Sequence, residues 1–218
     1  MTIRQNFDQL LKELHLDVVK MASLTEESIK QTIEVLNTKD KDLALKIIEN
    51  DYAINKMENK IANKCIELIA TQQPTASDLR NITAVLKMIT DIERIADHSV
   101  DISKLMLETL DERYVKPPFY ITSMASVACK MVKDVIDAYI NRDVKLAEKV
   151  CEKDAIVDEY FDKVINDLQN HMYEQKETIK QSTVLMFIAK YFEKIADHAT
   201  NIGEWVIYQI TGDHENLN

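Results

Sequence analysis

The stretch E-R-I-A-D-H-S-V-D-I at 93–102 returns as E-K-I-A-D-H-A-T-N-I at 193–202, with six of the ten positions identical. A second pair lies upstream, where E-N-D-Y-A-I-N at 49–55 resembles E-K-D-A-I-V-D at 152–158. The two offsets are 100 and 103 residues, so both motifs occur in the same order at near-constant spacing. This internal repeat predicts two halves with the same local structure.

Apolar residues recur at helical spacing along most of the chain. One stripe runs through residues 7–36, two further stripes follow it, and the Pro-Pro pair at 117–118 ends the third, because proline cannot continue a helix. The second half repeats this plan. We therefore predict an all-α protein of six long helices, arranged as two tandem, pseudo-symmetric three-helix bundles in residues 1–115 and 116–218.

The composition excludes several common classes of fold. The 218 residues include only two glycines and three prolines. Sheet proteins depend on many glycine-containing turns, and nucleotide-binding α/β enzymes need a glycine-rich phosphate loop that these two glycines cannot form. Long helices joined by few loops are favoured instead.

Charge and hydropathy limit the partners and the location. The net charge of −10 argues against nucleic acid as a partner, because binding a phosphate backbone requires clustered lysine and arginine. The longest uncharged stretch, residues 117–129, has 13 residues and two prolines, which is too short to span a bilayer. The amino-terminal segment also lacks the apolar run of a secretory signal. We therefore expect a cytoplasmic protein without membrane insertion.

Acidic residues interrupt the apolar stripes at regular positions in both halves. Residues four apart lie one turn apart on the same helix face, so these acids form ladders on neighbouring helices. The acids within the stripes are Asp51, Glu58, Glu93, Asp97, Asp154, Glu193 and Asp197, and Asp101 and Asp158 complete pairs four residues apart. With no lysine or arginine in phase, such ladders need a cation to remain ionised.

Oxygen-rich ladders of this kind suit hard cations such as iron, manganese, magnesium or calcium, with several ions bridged by shared carboxylates. Zinc is less favoured by the residues themselves, because no cysteine and no clear histidine ligand accompanies the acids. The alternative interpretation is that the acids reach solvent and pair with lysine or arginine on adjacent helices.

Enzyme signatures are missing from the sequence. No glutamate lies three residues before a histidine, as ferritin-like di-iron oxidases require, and no Gly-x-Ser-x-Gly motif occurs. We therefore expect no enzymatic activity and no catalytic residues. A carboxylate-bridged metalloenzyme or a metal-storage bundle is the alternative.

The repeated segments also carry a family resemblance. D-I-E-R-I-A-D-H-S-V-D-I at 91–102 and F-E-K-I-A-D-H-A-T-N-I-G-E at 192–204 resemble the PhoU family of bacterial phosphate-uptake regulators. P-T-A-S-D-L-R at 74–80 and the final W-V-I-Y-Q-I-T-G at 205–212 extend the resemblance over essentially the whole chain. It implies two three-helix bundles that bind multinuclear metal clusters, with iron or zinc first and manganese or magnesium as alternatives.

The resemblance also implies a set of metal ligands. Carried over by position, the motifs fall on four pairs, with two further residues one turn beyond. The pairs are Asp51/Asn55, Glu93/Asp97, Asp154/Asp158 and Glu193/Asp197, and the further residues are Asp101 and Asn201. Asn55 departs from the family's usual acid, so we expect weaker binding in the first half. Asp101 partly compensates for the missing charge at Asn55, because the second half has an amide, Asn201, at the position of Asp101.

The function implied by the resemblance is that of an adaptor. Such a protein couples the ATPase subunit of a phosphate ABC transporter to a sensor histidine kinase and represses the phosphate-starvation response when phosphate is abundant. A homodimer is expected, held at the inner face of the membrane through its partners.

Overall fold

The computed structural model describes residues 3–110 and 119–213, so the boundary predicted between residues 115 and 116 lies outside the described part. Within these ranges the chain forms seven α-helices and one short 3-10 helix, with no β-strand. The helices are α1 (Ile3–Thr38), α2 (Lys41–Gln72), α3 (Ala76–Glu108), α4 (Phe119–Asn141), α5 (Val144–Glu152), α6 (Asp154–Glu174), the 3-10 helix Lys176–Thr178, and α7 (Ile179–Thr211).

The predicted fold class is confirmed, with one local difference. Five of the six predicted helices are continuous, whereas the predicted fifth helix is interrupted at Lys153, which separates α5 from α6. The Lys153 N–H donates to the Val150 carbonyl in a tighter turn. As a result, Asp154 begins a new helix, whereas its first-half counterpart Asp51 lies inside the uninterrupted α2.

The two halves pack side by side. α1, α2 and α3 form one bundle, and α4, α5, α6 and α7 form the other. The bundles meet mainly where α3 packs along α7, with a smaller contact between α1 and α4. Each bundle buries its apolar stripe, and the buried residues form one continuous core across both. The acids of α3 and α7 are thereby placed on two rigid, central helices.

The first turn of each half uses the same chemistry. Lys39 and Arg142 adopt left-handed backbone angles, with φ of 59° and 53°. The next residue then caps the following helix: Asp40 Oδ1 accepts from the Leu43 N–H at 3.0 Å, and Asp143 Oδ1 accepts from the Leu146 N–H at 3.1 Å. This matched pair of turns supports the internal repeat at the level of individual hydrogen bonds.

None of the described helices combines the length and apolar character needed to cross a membrane.

Candidate metal centres

Residues of α2 and α3 form the first acidic cluster, defined as Asp51, Asn55, Glu93, Asp97 and Asp101. Asn55 Nδ2 donates to Asp51 Oδ2 at 2.8 Å. The remaining oxygens, Asp51 Oδ1 and Asn55 Oδ1, are buried and have no hydrogen-bond partner in the described part of the chain. Unpaired buried oxygens are costly, and a bound cation would satisfy both.

The electrostatics of the first acidic cluster show that its members act on one another. Burial raises the pKa of Asp51, and the negative charge of Asp97 raises it further. Burial also raises the pKa of Glu93, and the negative charge of Asp97 is again the next largest cause. The structure therefore brings acids from α2 and α3 together as predicted.

Basic side chains nevertheless reach this cluster. Arg94 Nη1 lies 3.0 Å from Asp97 Oδ2, and Arg94 Nε lies 3.6 Å from Glu93 Oε2. Lys104 Nζ lies 3.8 Å from Asp101 Oδ1. These residues are out of phase with the acids along α3, but their side chains still reach the carboxylates, so the expectation that only a cation could offset the acidic charge was wrong. Long side chains bend along the helix surface from neighbouring positions, which a count of phase along the axis does not capture.

Residues of α6 and α7 form the second acidic cluster, defined as Asp154, Asp158, Glu193 and Asp197. Burial raises the pKa of Asp154 to about 6, and the negative charges of Asp197, Asp158 and Glu193 add to the shift. Asp154 Oδ1 is buried and without a hydrogen-bond partner among the described residues. Each cluster thus holds four carboxylates, but the first has an amide, Asn55, at the equivalent of Asp158 and gains its fourth acid from Asp101.

Lysines of α7 contact the second acidic cluster. Lys190 Nζ lies 2.7 Å from Glu193 Oε2, and Lys194 Nζ contacts Asp197 Oδ2. Asp154 remains without such a pair in the described structure, and a cavity of about 470 Å³ opens beside it. Cys151, Asp158 and Thr200 also line this cavity. An ion could reach the unpaired Asp154 oxygen from this side.

Asn201, predicted one turn beyond the second acidic cluster, is engaged elsewhere. Its Nδ2 donates to Asp91 Oδ1 on α3 at 3.2 Å. His198 Nδ1 lies 2.8 Å from the same oxygen. The structure therefore places Asn201 in the contact between α3 and α7.

The two motif histidines meet at this contact. The rings of His98 and His198 stack with their centroids 5.4 Å apart. Sequence comparison of the halves missed Asp91, because its counterpart is Tyr191 and a search for shared residues passes over positions that differ. Asp91 could have been found by asking which acid of the first half could pair with His198 of the second.

The donor atoms of the two clusters suit hard cations, but the described side chains are not arranged as a metal site. Within residues 3–110 and 119–213, no group of three or more His, Cys, Asp or Glu side chains is placed so that it could hold a metal ion. The unpaired oxygens of Asp51, Asn55 and Asp154 are nevertheless donors that hard cations prefer. A metal-bound arrangement would require Arg94, Lys190 and Lys194 to turn toward solvent.

Comparison with known proteins then identifies the family. The profile described as "PhoU domain" matches this chain twice, at residues 18–106 and 121–206. The chain belongs to the PhoU family. The phosphate-specific transport system accessory protein PhoU homolog of Clostridium acetobutylicum is 40% identical over 216 residues, covering 99% of both chains. PhoU of Escherichia coli K12 is 30% identical, covering 96% of this chain and 87% of that protein.

Solved PhoU structures have the same architecture. The crystal structure of PhoU from Pseudomonas aeruginosa superposes with a TM-score of 0.92 at 30% identity, covering 95% of this chain and all of that one. The crystal structure of the phosphate transport system regulatory protein PhoU from Streptococcus pneumoniae gives 0.90 at 28% identity, covering 97% and 100%. The positions of both acidic clusters lie within the two ranges of this chain that the PhoU domain matches.

Proposed function

We propose that this protein is the accessory regulator of a phosphate-specific transport system. The observation that carries the proposal is the paired PhoU domain, matched over nearly the whole chain by relatives that are named as accessory proteins of that system. The protein would act by binding partners, without catalysing a reaction.

The partners we propose are the ATPase subunit of the phosphate ABC transporter and a sensor histidine kinase. In this role the protein, as a homodimer on the cytoplasmic side of the membrane, limits uptake and represses the starvation response when phosphate is abundant. The long, rigid faces of two fused bundles suit simultaneous contact with two proteins. The net charge of −10 favours basic surfaces on those partners.

We further propose that the acidic clusters hold multinuclear metal, with iron or zinc first and manganese or magnesium as alternatives. Asp154, Asp158, Glu193 and Asp197 would hold the ions of the second half. Asp51, Asn55, Glu93 and Asp97 would hold those of the first, with Asp101 beside them. When bound, the metal supplies positive charge that neutralises the carboxylates and fixes two helices relative to each other. A partner that contacts this face would then detect metal occupancy as a change in charge and rigidity.

A deletion strain tests the function. We expect loss of the gene to raise expression of the phosphate transporter at high phosphate, and the intact gene to restore repression. The variant Asp154→Asn/Asp197→Asn tests the metal component, with Asp167→Asn, an exposed acid of α6, as the matched control. Unchanged transporter expression in the deletion strain would contradict the regulatory role. Iron oxidation or metal accumulation by the purified protein would favour a metalloenzyme or storage role.

A further inference from the structure

A cavity of about 510 Å³ lies at one end of the molecule, away from both acidic clusters. It is formed by the amino-terminal parts of α1 and α3 and the carboxyl-terminal ends of α4 and α7. On α3, its residue Ile82 lies 11 residues before Glu93, which corresponds to about 17 Å along the helix axis. The size falls within the range of small-molecule sites in proteins.

The inner wall of the cavity is apolar. Leu14, Ile82 and Val85 line it and are at most 3% exposed to solvent. Aliphatic walls of this kind bind the apolar body of a ligand by the hydrophobic effect.

Two polar residues with little exposure to solvent line this space. Gln209 lines the cavity and is 6% exposed, and its side-chain amide makes no hydrogen bond to another residue in the described ranges. Tyr139 also lines the cavity at 4% exposed, and its hydroxyl likewise lacks a hydrogen bond within the described chain. Neither group is among the enclosed polar atoms that lack a partner in the described chain, so both are accessible at the cavity wall, where they can hydrogen-bond a ligand.

The outer lip of the cavity is basic. Lys12 and Arg142 are exposed, His15 is half-buried between them, and none of the residues that line this space in the described structure is acidic. Burial lowers the pKa of His15, and the positive charge of Arg142 lowers it further. His15 therefore adds little positive charge, and the two cations of the lip are Lys12 and Arg142, with no acid among the residues that line the cavity in the described structure.

We propose that this cavity binds a small organic anion, with its apolar body against Leu14, Ile82 and Val85 and its charged head between Lys12 and Arg142. Gln209 and Tyr139 hydrogen-bond the enclosed part of the ligand. The head is a carboxylate or a phosphate monoester, because lysine, arginine and histidine recognise both. Such a site gives the protein an input from small metabolites in addition to metal and protein partners.

Isothermal titration calorimetry of the full chain with four probes tests the proposal. The probes are octanoate, octyl phosphate, the neutral octanol, and inorganic phosphate. We expect at least one octyl anion to bind about tenfold or more tightly than octanol and than inorganic phosphate, because both the head and the body are used. Whichever of octanoate and octyl phosphate binds more tightly shows whether the site prefers a carboxylate or a phosphate head group. Equal affinity for octanol, or equal affinity for inorganic phosphate, would overturn the proposal, and so would no binding of either octyl anion at millimolar concentration.

Matched variants locate the binding in the cavity. Arg142→Gln should weaken the octyl anion about tenfold. Lys39→Gln, which also replaces a cation by glutamine at the equivalent left-handed turn of the first half, should leave binding unchanged. Val85→Phe should fill the cavity and abolish binding of the apolar body. If that variant does not fold, the contrast between Arg142→Gln and Lys39→Gln decides alone, and equal weakening by both would overturn the proposal.

Discussion

The first and second acidic clusters occupy equivalent places in two similar bundles, yet their electrostatics differ. In the first acidic cluster, Asn55 donates a hydrogen bond to Asp51, and Asp51 lies within the continuous α2. In the second, the acid Asp158 replaces that donor, and Asp154 begins a new helix with its pKa raised to about 6. The first carboxylate of the ladder therefore accepts a hydrogen bond from an amide in one half and faces a further acid in the other, and it is in the second half that its pKa is raised to about 6.

Among the variants that test this comparison, we expect Asp154→Asn to change the free energy of unfolding of the metal-free protein most. The pKa of Asp154 is raised in the folded state, so its ionised form opposes folding, and this penalty grows as pH rises above about 4 and is complete above pH 6. We expect the variant to be about 1–2 kcal/mol more stable than the parent at pH 7, after allowance for partial exposure.

Urea unfolding in chelator between pH 4.5 and 7.5 measures this effect. The advantage of Asp154→Asn should shrink toward pH 4.5, because the parent carboxyl is then protonated in the folded state. Asp51→Asn should give a smaller gain, since Asn55 already stabilises the Asp51 carboxylate. Asp167→Asn is the control, with no expected change. A gain for Asp51→Asn as large as that for Asp154→Asn would break the comparison between the clusters.

Exchanging the residue types of Asn55 and Asp158, which lie four residues after Asp51 and Asp154, should make the metal affinities of the two clusters more alike. Asn55→Asp adds a carboxylate beside Asp51, and Asp158→Asn removes one beside Asp154. We expect metal affinity to rise about tenfold at the first acidic cluster and to fall about tenfold at the second, because ligand charge tunes affinity for hard cations. Metal titration of each single variant checks this, and a shift in the same direction for both would contradict it.

The smallest effect is expected from the competing lysine. Lys194 contacts Asp197, so Lys194→Gln should strengthen metal binding at the second acidic cluster by a few fold, because no ammonium group then has to leave. Without metal the same variant should lose about 0.5–1 kcal/mol, the usual contribution of a partly exposed ion pair. Thermal unfolding with and without metal measures both changes. Lys163→Gln, which breaks an exposed pair with Glu159, is the control and should leave metal affinity unchanged.

Sequence periodicity was sufficient to predict the helices, because the spacing of apolar residues along a helix is a local property. The break at Lys153 was missed, since no glycine or proline marks it and the apolar phase continues through it. Proline and glycine are the local signals for such a break, and here the chain has neither.

The acids of the candidate site could also be predicted from sequence, whereas their partners could not. The approach of Arg94 and Lys190 depends on rotamers of long side chains, which periodicity does not describe. The pairing of Asn201 with Asp91 depends on how α3 packs against α7, a contact between residues 110 positions apart. Tertiary packing of this kind is visible only once the two halves are placed together.

The central claim, that the acidic clusters are metal sites of unequal strength, is tested most directly by elemental mass spectrometry of gently purified, chelator-free protein. The parent would be measured beside Asp154→Asn/Asp197→Asn and Asp51→Asn/Asp97→Asn. We predict bound metal in the parent, a large loss in the first variant and a smaller loss in the second. Equal metal content in all three proteins, or no metal in the parent after reconstitution, would contradict the claim.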